Sequence, residues 1–284
     1  MLFRSVTELN LLGIDFEEWY HPELVQPHIK DDKKKPQVFN GIDKILDWLH
    51  KNDTFATFFT VGEILEANPE ILDKIIESGH EIAFHTMHHK KLDITTKEEF
   101  SQQIQDFARI TNKRSKGFRA PTFSLNRNTS WSLDILVENN YVYDSSIVPA
   151  KTRLYGIPDA DTKPYKISSE AIGKNRSDAN LLEFPLMVTR FFGKKIPAGG
   201  GFYLRFLPLG TIENTIKKYE IEGKPATFYI HSWELTPEYM PVVPLPLSDR
   251  FITYHNLHKA LSKMDSLVKK FEFTSFERYI KNQT

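Results

Sequence analysis

Short apolar runs alternate along the chain with stretches whose apolar residues recur every three to four positions. The runs Asn10–Phe16, Ala56–Val61, Glu81–Phe84, Gly117–Arg119, Leu181–Pro185 and Thr227–His231 predict strands. Helical patterns lie between them. Asn40–Lys51 places Ile42, Ile45, Leu46 and Leu49 on one stripe, and Pro69–Ser78 is followed by Gly79, a helix-ending signal. Lys97–Thr111, Thr129–Asn139, Thr211–Glu220 and Leu257–Lys270 continue the pattern. This alternation predicts β/α units around a parallel sheet. The charged stretch Lys30–Pro36 reads as a solvated loop, and Arg153–Asp161 and the proline-dense Thr236–Pro246 read as irregular excursions. Ala198–Phe202 is glycine-rich but lacks the Lys and Ser/Thr of a phosphate loop, so it predicts a close backbone turn near a ligand. With neither an internal repeat nor a linker in view, residues 1–284 read as one domain.

Composition narrows the classes. The 284 residues suffice for one α/β barrel with a substantial core. Lys plus Arg and Asp plus Glu number 37 each, so net charge offers no reason to expect nucleic acid or an anionic membrane surface as partner. The chain has no Cys, which excludes disulfides, Cys-ligated zinc and a Cys nucleophile. Neither a signal-peptide stretch nor a membrane-spanning run is visible, which predicts a cytoplasmic protein.

Four polar clusters stand at or just after predicted strands. Asp15 and Glu17 share one face of the first strand by side-chain alternation, and two carboxylates so placed call for a shared cation or proton. His85 and His89, in His85-Thr86-Met87-His88-His89, are suited to Zn²⁺, Co²⁺, Ni²⁺ or Fe²⁺, and with one carboxylate they make a His₂-carboxylate site. His88 is set aside as facing elsewhere, and His80 as structural. Arg119, before Ala120-Pro121, offers a fixed guanidinium that can clamp Asp15. His231 ends its strand where it can pass a proton to a leaving amine, with Asp144 as a candidate partner.

Taken together these motifs resemble the NodB-like polysaccharide deacetylases, carbohydrate esterases that remove acetyl groups from sugars. The family's His-Ser/Thr-x-x-His motif is matched by His85–His89, its Arg-x-Pro motif by Arg119–Pro121, and its terminal His by His231. The segment Asp15-Phe16-Glu17-Glu18-Trp19-Tyr20-His21 is most similar to the subgroup found in exopolysaccharide biosynthesis clusters. The resemblance covers about residues 10 to 240.

The resemblance implies a distorted (β/α) barrel, usually of seven strands, with the site at the strands' carboxyl ends. It implies a carbohydrate substrate and a divalent metal, foremost Zn²⁺, held by His85, His89 and an acidic residue. Many members have adjacent Asp-Asp in the first motif, the second being the metal ligand; here the acidic candidates are Glu17 and Glu18, and face alternation favours Glu17, with Glu18 the alternative. Asp15 takes the catalytic-base position, oriented by Arg119, and His231 that of the acid. A backbone N–H after Pro121 is the expected oxyanion donor. Two rival readings use the same fold. One is a metal-independent hydrolase of small amides or ureides, against which the histidine pair argues. The other is a non-catalytic carbohydrate-binding relative, against which Asp15 and His231 argue.

Overall fold

The long apolar runs become strands buried on both faces, and the computed structural model describes residues 9–283. The strands are β1 (Asn10–Phe16), β2 (Thr57–Thr60), β3 (Glu81–Phe84), β4 (Gly117–Phe118), β5 (Tyr143–Asp144), β6 (Tyr165–Ile167), β7 (Leu181–Glu183), β8 (Val188–Phe191), β9 (Lys194–Pro197), β10 (Thr227–His231) and β11 (Phe273–Thr274). The helices are α1 (Val38–Lys51), α2 (Gly62–Ala67), α3 (Glu70–Glu77), α4 (Lys97–Ile110), α5 (Trp131–Glu138), α6 (Gly201–Phe206), α7 (Leu209–Ile221), α8 (Ser232–Leu235), α9 (Leu247–Tyr254), α10 (Ala260–Val268) and α11 (Phe276–Gln283).

Seven strands run parallel in the order β10-β1-β2-β3-β4-β5-β7; β6 adds antiparallel beyond β7, and β11 pairs with the start of β1. The sheet curls into the distorted α/β barrel expected. Its seam lies between β7 and β10, where irregular backbone takes over: Met187 N–H donates to the Thr227 carbonyl (3.1 Å) and Tyr229 N–H to that of Gly199 (2.7 Å). The glycine run is therefore a close turn against strand β10 rather than against a ligand. At Gly200 φ is +120°, and a Cβ would fall 1.6 Å from the Tyr229 carbonyl oxygen, so only glycine fits.

Along β1 the side chains alternate between two environments. Leu12, Ile14 and Phe16 pack outward against the helical layer, within the cluster that includes Ile42, Ile45 and Leu49 of α1. Leu11 points into the barrel, where Phe59, Ala83, Tyr143, Phe184 and Phe276 fill the interior. Phe276 begins α11, which plugs the amino-terminal end of the barrel: its N–H donates to Thr57 Oγ1 at 3.0 Å, and Glu277 N–H to Glu81 Oε2 at 2.9 Å. The plug leaves the carboxyl ends of the strands as the open face, where chemistry collects in parallel α/β folds.

Candidate active site

Asp15 follows Leu11 and Gly13 on the inward face of β1, and it stands in register with His231 of β10. His85 and Arg119 come one residue after Phe84 and Phe118, which are register partners on β3 and β4. Pairing of neighbouring strands thus brings four sequence-distant residues to one rim.

Arg119 is completely buried, and its guanidinium is fully directed. Nη1 donates to Asp15 Oδ1 at 2.6 Å, Nε to the Ser145 carbonyl at 2.9 Å and Nη2 to Ser145 Oγ at 3.0 Å. The cation also lies 3.9 Å above the Phe59 ring. Gly13 makes room for it, since a Cβ there would come within 2.7 Å of Nη1.

Glu17, His85 and His89 are all buried, and their donor atoms lie within 4.8 Å of one another. His85 Nδ1 donates to the Arg119 carbonyl (2.7 Å), because a carbonyl can only accept; the lone pair is thereby left on Nε2, as a metal ligand requires. Burial, with His89 adding to it against the nearby carboxylates, pulls the His85 pKa down to about 4 and keeps the ring neutral. His89 Nε2 is 2.6 Å from Glu17 Oε2. Burial alone would raise the Glu17 carboxyl, but the imidazoles of His89, His231 and His85 outweigh it and hold it well below the usual carboxylate range. Trp233 Nε1 donates to Glu17 Oε1 (3.0 Å), and Ser232 Oγ donates to the Glu17 carbonyl (2.6 Å). Thr86 and His89 both adopt left-handed backbone, φ 61° and 51°, so the turn that presents the two imidazoles is strained. A buried, preformed N₂O donor set with a fixed tautomer fits Zn²⁺ or a similar divalent ion.

Glu18 points elsewhere. Its carboxylate accepts the N–H groups of Gln37 (2.8 Å) and Val38 (3.1 Å) at the start of α1, while burial raises its pKa to about 7. Glu17 is thus the acidic residue that joins the histidine pair. His88, on the outer side, is exposed and bonds Glu63.

His231 Nε2 lies 4.0 Å from Glu17 Oε1, and its ring stacks on Trp233 at 4.6 Å. Its Nδ1 partner is Glu234 Oε2 at 2.7 Å. Burial disfavours the imidazolium, but Glu234, with Glu17 and Asp15 adding to it, outweighs burial and raises the His231 pKa to about 9. Glu234 is itself held by Arg205 Nε (2.6 Å), and Arg205 spends its other N–H groups on the carbonyls of Ile252, Thr253 and His255. Asp144, the partner expected from sequence, does not fill this place. Its carboxylate accepts from Ser146 Oγ (2.6 Å) in a buried pocket shared with Glu183, while Ser146 Oγ accepts the N–H of Ala120 (2.8 Å). Asp144 is in register with Phe118, on the face turned toward the helical layer, whereas its neighbour Tyr143 points into the barrel, which accounts for the difference. The His231–Glu234 spacing across a helix start is a signal from which Glu234 could have been found; nothing in the sequence marks Arg205.

Thr122 and Phe123 follow Pro121 in left-handed backbone (φ 53° and 50°) and line the cleft with Asp15, His85 and His231. The Phe123 N–H is used by the Ala120 carbonyl, and that of Thr122 has no partner among the described residues. Left-handed backbone at a β-branched residue costs about 1–3 kcal/mol. The outer wall of the cleft is apolar, with Leu154, Tyr155, Phe202 and Tyr229.

Residues 31–141 match the polysaccharide deacetylase family, and residues 145–281 match a domain of unknown function, DUF3473. Over residues 31–141 the chain is therefore similar to the polysaccharide deacetylases. A peptidoglycan-N-acetylglucosamine deacetylase of Bacillus cereus is 40% identical over 80 residues, which cover 28% of this chain and 28% of that protein. The chain spans between about a fifth and two fifths of the curated relatives it matches. Among solved structures, a Mycobacterium smegmatis chain described as a polysaccharide deacetylase superposes with a TM-score of 0.60 at 14% identity, covering 99% of this chain and 92% of that one. The Puue allantoinase superposes with a TM-score of 0.54 at 14% identity, covering 98% and 91%. At such identities the likeness is one of fold. Among the described residues, no helix is long and apolar enough to cross a membrane.

Proposed function

We propose that this protein is a metal-dependent hydrolase that removes N-acetyl groups from aminosugars of a polysaccharide or its precursor, with zinc as the ion. The observation that carries this reading is the Glu17–His85–His89 donor set beside the Asp15–Arg119 pair, with His231 across the same cleft. The family match and the activity named for the Bacillus cereus relative support an amide as the bond cleaved. Resemblance of Asp15–His21 to the exopolysaccharide-cluster subgroup favours a precursor of an extracellular polymer.

When bound, the ion would polarise the acetyl carbonyl and make water more acidic. The chain's own residues do the rest. Asp15, held through Oδ1 by Arg119, takes the water proton on its carboxylate. The water oxygen bonds to the acetyl carbon, and the Thr122 N–H donates to the oxyanion that forms. His231, protonated at neutral pH because Glu234 faces Nδ1, gives the Nε2 proton to the amine as the carbon–nitrogen bond breaks. Acetate and a free aminosugar leave. Arg119 and Glu234 perform no transfer; they fix base and acid on opposite sides of the carbonyl.

The Puue allantoinase superposes on this fold, so fold alone does not choose the chemistry; the buried Glu17–His85–His89 donor set favours a metal site. The test is acetate release from N-acetylated oligosaccharides of graded length, with added Zn²⁺ or Co²⁺. Release that rises with the ion supports the reading. No release from any acetylated sugar, with turnover of small cyclic ureides instead, refutes it.

A further inference from the structure

The hairpin β8–β9 stands apart from the main sheet as a two-stranded ribbon. Its base is anchored: Val188 is buried, in a cluster with Phe123 and Tyr229, and Thr189 Oγ1 accepts from Thr215 of α7 at 3.0 Å. Its tip reads Arg190-Phe191-Phe192-Gly193-Lys194-Lys195. Phe192 is 92% exposed, the most exposed of the large apolar side chains among the described residues, and Phe191, 39% exposed, packs edge-on against it at 4.6 Å. The reversal passes through Phe192 and Gly193, both in left-handed backbone (φ 46° and 77°). Two-residue reversals of this kind favour Asn, Asp or Gly, and a bulky aromatic there is strained. The fold gains no core contact in return.

Charge gives the second, independent observation. From Leu186 to Gly199 the chain carries Arg190, Lys194 and Lys195 and no acidic residue, although the whole protein is neutral. Arg190 and Lys194 are exposed and take part in no ion pair among the described residues; Arg190 bonds only the Gly193 carbonyl. Lys195 is half-buried and donates to the Pro158 carbonyl. Exposed aromatic rings ringed by cations suit one environment above others, the interface of an anionic bilayer, where rings enter the acyl boundary and cations meet lipid phosphates.

We propose that the β8–β9 tip is a membrane-docking finger for anionic lipid surfaces. Phe191 and Phe192 insert, and Arg190 and Lys194 bind headgroup phosphates. This contact is independent of the deacetylase reading, because none of these residues lines the catalytic cleft.

The test is cosedimentation of the purified chain with vesicles of phosphatidylcholine alone or mixed with phosphatidylglycerol, at low and high salt. Binding is expected to the mixed vesicles only and to weaken with salt. R190Q and K194Q should each lower partitioning about fivefold. F192N, which places a residue favoured in left-handed backbone at the turn and so preserves the hairpin, should lower it by about tenfold or more. Acetate release in solution should be unchanged in all three, and melting temperature should fall in none of them, rising if anything in F192N as the turn strain is relieved. Absence of binding by the parent chain, or equal binding by F192N, overturns the proposal. So does self-association of the soluble chain that F192N abolishes while vesicles bind nothing.

Discussion

Glu234 Oε2 lies 2.7 Å from His231 Nδ1, within the first turn after β10. This contact, more than any other, sets the protonation of His231, whose pKa rises to about 9 against the opposing effect of burial. As an acid, His231 works below that pKa, and its contribution is lost as pH rises through it. Replacing Glu234 with Gln removes the charge that favours imidazolium, so the alkaline limb of the kcat/KM profile should move to lower pH by roughly a unit or more. A bound cation lowers the limb in both proteins, so the two profiles are compared under the same metal. Superimposable alkaline limbs would contradict the pairing.

Asp15→Asn preserves the shape of the residue beside Arg119 and leaves the donor set of Glu17, His85 and His89 untouched. Zinc content by elemental analysis should therefore stay at the parent level, while acetate release falls by about 10²–10⁴-fold, the usual contribution of a general base. Near-parent turnover would remove Asp15 from that role.

Trp233→Phe deletes the indole N–H that donates to Glu17 Oε1 and keeps an aromatic ring against His231. Groups that hold metal ligands commonly contribute 10–100-fold to affinity. A zinc titration against a competing chelator should show a loss of about that size. Equal affinity would show that Glu17 is held well enough by Ser232 and the backbone.

Gly13→Ala places a methyl group 2.7 Å from Arg119 Nη1 and 2.8 Å from Phe59 Cε2. Overpacking in a filled interior costs about 1–3 kcal/mol. Denaturant unfolding should show that loss, and activity should fall with it because Asp15 is carried by the displaced guanidinium. A variant as stable and as active as the parent would mean that Arg119 has free space.

Much of this was legible in the chain. Strands β1, β3 and β10 begin and end where their apolar runs do, because strands covered on both faces need uninterrupted apolar sequence. Alternation along β1 favoured Glu17, and Glu18 indeed turns away to the start of α1. What escaped the sequence depended on long-range pairing. Tyr143–Asp144 is too short and too polar to read as a strand, and only β4 and β7 on either side make it one. The β8–β9 ribbon is two short strands of mixed polarity around a cationic turn, with no apolar run to mark them. Asp144, the candidate partner for His231 in the sequence, is instead occupied by Ser146 and Glu183. Arg205 reaches Glu234 only because α6 packs beside β10.

The central claim, that Glu17, His85 and His89 bind a catalytic zinc ion, is tested most directly by stripping the protein with a chelator and titrating Zn²⁺ back while following acetate release from N-acetylated oligosaccharides. The account predicts that release stops on stripping and returns to its full rate at one equivalent of zinc, and that His85→Ala recovers nothing. Undiminished release by the stripped protein, or full recovery by His85→Ala, would contradict it.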